Sequence, residues 1–265
     1  MTTPACPICA AAMSEAFTAR LLRRHPVRFF RCGDCGLLQS EAPYWLDEAY
    51  ADPIAEADTG LLQRNLAIAA RLATLLYFAF DARCAYLDLA GGYGTLVRLM
   101  RDLGFDFYWQ DPYCQNLLAR GFEHERSGRS YAALTAFEVL EHVHDPLAFL
   151  STALETHGVR SLILSTQTYA GDRAPAQDWW YYAFNAGQHI SFYQQQTLAR
   201  MAQRLNLNFY SWHGLHVLTD QRLSRGKLNL LTGALAYPLA VYARLRLGSR
   251  TQSDHAALLR AGGGC

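Results

Sequence analysis

The order of strand and helix patterns along the chain constrains its fold more than any other feature. Residues 84–90, CAYLDLA, have the apolar pattern of a short buried strand and run directly into the glycine-rich GGYG. Strand patterns at 105–110, 132–138 and 159–166 alternate with helix patterns at 61–80, 94–103, after Asp111 and at 146–156. This alternation predicts βαβ units, and therefore a parallel sheet with helices on both faces. Two short strands around Gly214 predict an antiparallel edge hairpin.

The glycines at the first strand-to-helix turn indicate a ligand site. Ligands of open α/β sheets bind at the carboxyl ends of the strands, and Gly91, Gly92 and Gly94 allow close approach to the backbone. A dinucleotide-binding turn has the pattern G-x-G-x-x-G, and GGYG lacks the third glycine at the required offset. A ligand with a carboxylate and a ribose but no phosphate, such as S-adenosylmethionine, suits the turn better, and Asp88 would favour its ammonium group.

Length and charge set the broad class of protein. With 265 residues, 51% of them apolar, the chain can bury a full core, and we expect one main domain with additions. The formal net charge of +1 gives no global attraction for nucleic acid or an anionic membrane, although local patches remain open. The opening MTTPACPICA lacks the pattern of a secretory signal, so we expect a cytoplasmic location and reduced thiols.

Four of the seven cysteines stand in two CxxC pairs. Cys6 and Cys9 form CPIC, and Cys32 and Cys35 form CGDC. Two such pairs in a reducing compartment predict a structural zinc site with four thiolate ligands and no open coordination position. The alternative to a zinc site is that these cysteines form disulfides or are unpaired thiols in the core.

The segment between the two cysteine pairs is basic and contains no acidic residue from position 20 to 31. Its arginines are Arg20, Arg23, Arg24, Arg28 and Arg31. A basic hairpin with aromatic residues suits nucleic acid or a phosphate-bearing substrate. It equally suits a solvated face that pairs with the acidic Glu41, Asp47 and Glu48.

Four segments in order resemble class I S-adenosylmethionine-dependent methyltransferases, in particular bacterial members with an N-terminal zinc ribbon that act on sugars or small molecules. They are LDLAGGYGTL, WQDPY with Asp111, LTAFEVLEHVHDPLAFL at 134–150 and GQHISFYQQQTLARMAQRLNLNF at 187–209. The resemblance implies a Rossmann-like, mostly parallel sheet with an antiparallel edge hairpin, a zinc ribbon and a C-terminal helical extension. It also implies S-adenosylmethionine as cofactor.

The resemblance assigns Asp111 to the ribose hydroxyls; an N-cap for a following helix is its structural alternative. The expected cofactor-binding residues are Asp88, Ala90, Gly91, Gly92, Gly94, Asp111, Pro112, Phe137, Glu138 and His142. The segment HERSGRSYAAL offers no obvious acid for the adenine amine, so that contact has no candidate.

Glu138, Glu141 and His142 stand at spacing i, i+3, i+4. If a helix begins at Glu138, all three share one face and could bind a divalent metal ion. The alternative is that the segment lines the cofactor pocket.

His189 is the candidate general base, and Tyr193, four residues later, is the second predicted catalytic residue. Transfer to a hydroxyl or a carbon acid requires loss of a proton, and imidazole side chains titrate near neutral pH. A histidine that only fixes its loop is the alternative. C-methyltransferases of deoxysugars carry a related segment with a glutamate before the histidine; Gln188 replaces it here, which favours O-methylation over C-methylation.

Two further segments leave alternatives open. The aromatic residues Trp179, Trp180, Tyr181, Tyr182 and Phe184 suit a substrate lid, a packed connection or a dimer contact. The apolar run 228–248, flanked by basic residues, is too short and interrupted to span a membrane. It could touch anionic lipid peripherally, pack on its own domain or join two subunits of a homodimer.

The predicted organisation is a zinc ribbon at 1–42, a methyltransferase domain at 43–220 and a helical extension at 221–265. The expected function is methyl transfer to a small molecule or a sugar, including nucleotide-linked sugars and surface glycans, with no nucleic-acid partner. A nucleic-acid-associated or catalytically inactive binder of S-adenosylmethionine, docking through its ribbon, is the alternative.

Overall fold

The computed structural model describes residues 4–51 and 58–262. The described residues form two compact units, the first drawn from 1–57, 137–156 and 164–220, and the second from 58–136, 157–163 and 221–265. The domain boundaries expected from the sequence stay predictions. The last three residues of the predicted extension lie outside the described residues.

Strands and helices follow the predicted order closely. The strands are β1 (Met13–Leu21), β2 (His25–Cys32), β3 (Leu38–Ser40), β4 (Ala85–Leu89), β5 (Asp106–Gln110), β6 (Tyr131–Phe137), β7 (Ser161–Ser165), β8 (Ser191–Phe192), β9 (Asn208–Trp212) and β10 (Leu215–Thr219). The α-helices are α1 (Leu46–Ala49), α2 (Leu61–Ala79), α3 (Thr95–Asp102), α4 (His124–Ser127), α5 (Pro146–His157), α6 (Gln195–Arg204), α7 (Arg225–Thr232), α8 (Ala236–Leu247) and α9 (Thr251–Gly262). Short 3-10 turns lie at Leu140–His142 and Trp180–Tyr182.

Six strands form the larger sheet, in the order β5-β4-β6-β7-β10-β9. β4 runs parallel to both of its neighbours, with Leu87 opposite Tyr108 on β5 and Leu134 on β6. All five residues of β4 are buried, as a strand covered on both faces requires. β9 and β10 form an antiparallel hairpin at one edge. The predicted fold class is therefore confirmed.

The smaller sheet lies in the first unit and has the order β1-β2-β3-β8. β1 and β2 form the antiparallel hairpin between the two cysteine pairs, and β8 is added from far along the chain through the pairing of Ser191 with Gln39. Side chains of this sheet and of neighbouring segments form one buried apolar core: Leu21, Val27, Phe29, Leu38, Trp45, Tyr181, Tyr182, Ile190 and Phe192. The segment around His189 is therefore held by this smaller sheet, which we call the ribbon sheet.

The helix predicted directly after Asp111 is absent from the described residues, and that prediction is wrong. The Asp111 carboxylate accepts hydrogen bonds from the backbone N–H groups of Tyr113 and Cys114, as a cap would. The N–H groups of Leu117 and Leu118 then donate to the carbonyl of Tyr93 instead of to carbonyls of the same segment. A cap therefore forms without a helix behind it, and the next helix, α4, begins only at His124.

In the second unit the C-terminal helices are held against α2 and α3. Thr74 of α2 donates to the carbonyl of Leu231 at 2.6 Å. Buried Arg101 of α3 donates to both carboxylate oxygens of Asp254 on α9, each at 2.8 Å. Within residues 4–51 and 58–262, no helix has both the length and the apolar character needed to cross a membrane.

Candidate active site and zinc centre

The glycine turn in the second unit joins β4 to α3, and its three glycines have different tasks. A Cβ on Gly91 would lie 2.6 Å from the Trp109 ring, and a Cβ on Gly94 would lie 2.8 Å from the Asn116 side chain. Those two glycines are required by packing. A Cβ on Gly92 would meet no atom of the described residues within 4 Å, so this is the position where the backbone is open to a ligand. Gly92 and Gly94 have φ values of +53° and +84°, as the left-handed bends of the turn require.

Asp111 follows β5 and ties the turn together. Its Oδ2 accepts from the N–H of Gly92 at 2.9 Å, while Oδ1 accepts from Tyr113 and Cys114. A carboxylate offers about four acceptor positions, so about one remains for a ribose hydroxyl. Asp111 therefore caps a turn and not a helix, and its predicted contact with a ribose stays a prediction. Pro112 beside it is exposed.

Asp88 lies buried on β4, directly before the turn. Thr135 of β6 donates to its Oδ1 at 2.5 Å. Burial raises the pKa of Asp88 to about 7, the charge of Asp111 adds to this effect, and the Thr135 hydrogen bond opposes it. Among the residues that the structure describes, the Asp88 carboxylate thus has one neutral hydrogen-bond partner and no cation in contact, which suits a ligand that brings its own ammonium group.

The structure gathers one set of predicted cofactor residues around this turn: Asp88, Ala90, Gly91, Gly92, Gly94, Asp111 and Pro112. The other three, Phe137, Glu138 and His142, belong to the first unit. Glu138 has a left-handed φ of +54°, and its Oε1 accepts from Ser165 at 2.5 Å. This backbone prevents a helix from starting at Glu138, so the predicted one-face triad with Glu141 and His142 does not form.

A different cluster forms instead, from Glu141, His142 and His189 of the first unit. One ligand atom from each residue lies within 4.8 Å of the others. The Glu141 side chain is fully buried; Tyr181 donates to its Oε1 at 2.6 Å, and its Oε2 has no hydrogen-bond partner among the described residues. Two imidazoles and one carboxylate are a donor set that binds divalent transition metals. All three residues are candidates from the sequence, but their combination in one cluster is visible only in the structure.

His189 is fixed in one tautomer within this cluster. Its Nδ1 lies 2.6 Å from the carbonyl oxygen of Tyr181. A carbonyl can only accept, so the hydrogen bond assigns the proton of the neutral ring to Nδ1 and leaves the lone pair on Nε2. This is the form that a general base requires. A metal ion in the cluster would compete for a nitrogen of the same ring.

His142 and Tyr193 support this arrangement. His142 Nδ1 lies 2.9 Å from the Tyr50 hydroxyl, and burial together with the nearby His189 lowers the pKa of His142 to about 3. His142 is therefore neutral at physiological pH. Tyr193 is fully buried, and its hydroxyl donates to the carbonyl of Leu140 at 2.7 Å. Its catalytic role stays a prediction, and in this geometry it holds the turn that carries Glu141 and His142.

Tyr181 is the residue whose role the sequence did not indicate. Its hydroxyl reaches Glu141 and its carbonyl reaches His189, so one residue orients two members of the cluster. In the aromatic segment 179–184, Tyr181 and Tyr182 are buried and Phe184 packs against the same core, as a packed connection would. Trp180 differs, with 74% of its surface exposed.

The four cysteines of the CxxC pairs come together in the first unit. The Sγ atoms of Cys6 and Cys35 lie 3.5 Å apart, those of Cys9 and Cys32 lie 3.4 Å apart, and all four sulfur atoms lie within 4.8 Å of one another. These separations are far longer than a disulfide bond of about 2.05 Å, and all four thiols are free. Four free thiols this close together fit the four-thiolate donor set of a structural zinc site.

The basic hairpin is partly neutralised by the acidic neighbours that the sequence pointed to. Arg28 donates twice to Glu41 Oε2, at 3.1 and 2.8 Å, and Arg24 pairs with Glu48. For Arg24 and Arg28, the structure therefore agrees with the prediction of a solvated face whose arginines pair with acidic neighbours.

Comparisons with known proteins found one matching family model and several similar solved structures. The family model of a methyltransferase domain matches residues 61–211, more than half of the chain. No curated protein matches the chain. Among solved structures, TnmH is similar at 19% identity over 68% of this chain and 62% of its own, with a TM-score of 0.47. Human N-acetylserotonin methyltransferase, in complex with SAM, is 12% identical over 67% of this chain and 66% of its own, with a TM-score of 0.44.

An O-methyltransferase family protein from Burkholderia thailandensis is 18% identical over 69% of this chain and 64% of its own, with a TM-score of 0.41. The matched part of this chain thus spans less than two thirds of the length of each of these three proteins.

Proposed function

Because the chain belongs to the family of class I S-adenosylmethionine-dependent methyltransferases, we propose that it transfers the methyl group of S-adenosylmethionine to a hydroxyl oxygen of a small molecule or sugar. The main observation in support of an oxygen atom as methyl acceptor is the fixed tautomer of His189. A hydroxyl must lose its proton during transfer, and Nε2 of His189 holds the lone pair that accepts it.

In this proposal each residue of the site has its own role. When bound, S-adenosylmethionine supplies a methyl group on a positively charged sulfur. Asp88 pairs with the amino group, the open backbone at Gly92 admits the ligand, and Asp111 accepts from a ribose hydroxyl. The cofactor would give its methyl group to the acceptor oxygen and become the neutral sulfide S-adenosylhomocysteine, and Nε2 of His189 would accept the proton that the hydroxyl loses.

A sugar suits the acceptor side because of Trp180. This ring is the exposed member of the aromatic segment, and an exposed indole face stacks readily on the apolar face of a sugar ring. Glu141, held by Tyr181 in the same cluster as His189, stabilises the imidazolium that forms when His189 takes the proton.

Affinity for S-adenosylmethionine is expected to depend on pH through Asp88. Its pKa is raised to about 7 by burial, so the carboxyl loses its charge as the pH falls through that value. A neutral carboxyl pairs poorly with an ammonium, and binding should weaken about tenfold from about pH 8 to about pH 6. Calorimetric titration at both pH values measures this. The Asp88→Asn variant is the matched control: it should bind weakly and with little dependence on pH, whereas equally steep pH dependence in that variant would exclude Asp88 as the cause.

Turnover with a panel of acceptors tests the function itself. The purified chain is incubated with methyl-labelled S-adenosylmethionine and separate pools of nucleotide sugars, free sugars, phenols and amines, and the products are identified by mass spectrometry. We expect label on an oxygen of one hydroxyl-bearing class. Label on nitrogen or carbon alone would reject the oxygen acceptor, and tight binding without any product from the panel would indicate an inactive binder.

A further inference from the structure

Helix α8 of the second unit has apolar residues on its buried face and also on its exposed face. Ala236, Ala240 and Ala243 are buried. On the other side Tyr237 and Val241 are each 58% exposed and Leu245 is 78% exposed. The apolar stripe of a surface helix normally faces the core. A second apolar stripe that is exposed to solvent therefore indicates a surface that binds a partner.

The exposed apolar residues of α8 form one continuous arc. With 3.6 residues per turn, five residues fall within about 140° of the helix circumference, opposite the buried alanines: Tyr237, Val241, Leu245, Pro238 and Tyr242. Tyr242, at one edge of this arc, is partly exposed and also packs its ring against Tyr77 and Phe78 of α2. Arg244 and Arg246 fall at the two borders of this arc, and both are exposed. Leu230 on α7 and Leu235 before α8 add further exposed apolar surface. We call Leu230, Leu235, Tyr237, Val241, Leu245, Arg244 and Arg246 the α8 surface.

The chain segment that carries this surface has charged residues of one sign only, although Arg250 near its end pairs with Asp106. Residues 221–253 contain Arg222, Arg225, Lys227, Arg244, Arg246 and Arg250, and no aspartate or glutamate. The whole chain has a formal net charge of only +1, so this segment is a local excess of positive charge. An apolar helix face bordered by arginines is the pattern of a helix that lies in the interface of an anionic membrane.

We propose that the α8 surface docks on an anionic lipid bilayer, with α8 lying parallel to the membrane plane. The twelve residues of α8 measure about 18 Å, well short of the hydrocarbon core of about 30 Å, so the contact is peripheral. The apolar arc enters the headgroup region while Arg244 and Arg246 remain at the level of the lipid phosphates. Lipid is favoured over a second copy of the chain because two such surfaces would bring like charges together.

Vesicle sedimentation with the full chain tests the proposal. Vesicles of phosphatidylcholine alone are compared with vesicles that contain phosphatidylglycerol, at low and high salt. We expect binding only to the anionic vesicles, and a loss of binding at high salt because charge attraction is screened. Equal binding to both vesicle types, or no binding to either, would overturn the proposal.

Two variants and a matched control locate the contact. Leu245→Glu and the double change Arg244→Glu, Arg246→Glu should each lower the partition coefficient about tenfold or more. Leu259→Glu places the same charge at a leucine of α9 that is 64% exposed and should bind vesicles as the wild type does. All positions are exposed, and S-adenosylmethionine binding by each variant verifies that the second unit is folded.

Light scattering of the chain without lipid tests the alternative, in which a second copy of the chain binds to the α8 surface. If the wild type is a dimer and Leu245→Glu is a monomer, the α8 surface is a subunit interface and the lipid proposal is rejected. A wild type and a variant of the same size, together with loss of vesicle binding in the variant, support the proposal.

Discussion

Replacing His189 by alanine is expected to lower kcat by about 100- to 10,000-fold, the range that a positioned general base contributes. The reason is the fixed tautomer: with Nδ1 bound to the Tyr181 carbonyl, Nε2 of His189 is the acceptor for the proton of the hydroxyl. Affinity for S-adenosylmethionine should change little, because the change removes only the imidazole that receives the proton. Single-turnover rates and calorimetric Kd values measure the two effects separately.

His144→Ala is the matched control for this experiment. His144 lies in the same segment as Glu141 and His142 but is exposed, and the hydrogen bond that it receives from Gln39 ends on its backbone carbonyl. The control should turn over at nearly the wild-type rate. A His189→Ala variant with wild-type kcat would eliminate His189 as the base.

The same experiment separates a base from a metal ligand. If Glu141, His142 and His189 held a divalent ion that the reaction needs, His142→Ala would cost as much in kcat as His189→Ala, and added ion would restore activity after chelation. If His189 acts as a base, the loss in His142→Ala is much smaller, and magnesium or manganese leaves the rate unchanged. His142 is neutral at physiological pH in either case, since its pKa is lowered to about 3 by burial and by His189.

Loss of zinc is expected to have the largest effect on stability. Structural zinc sites bind with apparent free energies of about 10–16 kcal/mol in small zinc-finger peptides, which is as large as the whole stability of a typical domain at about 5–15 kcal/mol. The first unit contains the four cysteines and also the sheet that carries β8 next to His189. Metal removal should therefore unfold the ribbon sheet and abolish turnover together.

Elemental analysis and thermal unfolding measure this. We expect one zinc per chain in the wild type, and loss of zinc with a large drop in the unfolding midpoint for Cys9→Ser. Cys84→Ser is the matched control, because Cys84 is a half-buried free thiol outside the cluster, and it should keep its zinc. A metal-free wild type that unfolds cooperatively at an unchanged temperature would show that the four thiols have no structural ion.

Periodicity was sufficient to predict the elements with simple environments. β4 is apolar at nearly every position because both of its faces are covered, and α2 has apolar residues at helical spacing along its whole length. The glycines after β4 correctly located the turn. Their separate tasks were not visible, because only the packing of Trp109 and Asn116 shows that Gly91 and Gly94 serve the fold while Gly92 faces open space.

The Glu141–His142–His189 cluster could not be predicted from spacing because it depends on one local backbone feature and one long-range contact. Glu138 adopts a left-handed backbone that rules out the helix assumed for the triad. His189 is positioned by the pairing of β8 with β3, a contact between residues more than 150 positions apart in the chain. The missing helix after Asp111 has a similar origin, since the Tyr93 carbonyl takes two N–H groups that a helix would use. Local pattern rules do not contain such contacts.

Calorimetric titration of S-adenosylmethionine and of NAD, at about pH 8 where Asp88 is mostly charged, tests the central claim most directly. Wild type is compared with Asp111→Ala and with Asp145→Ala, a matched control that removes a capping carboxylate from the start of α5. We predict that the wild type and Asp145→Ala bind S-adenosylmethionine and not NAD, and that Asp111→Ala binds S-adenosylmethionine at least about tenfold more weakly, as loss of a hydrogen bond to a charged group implies. Binding of NAD without binding of S-adenosylmethionine would contradict the account.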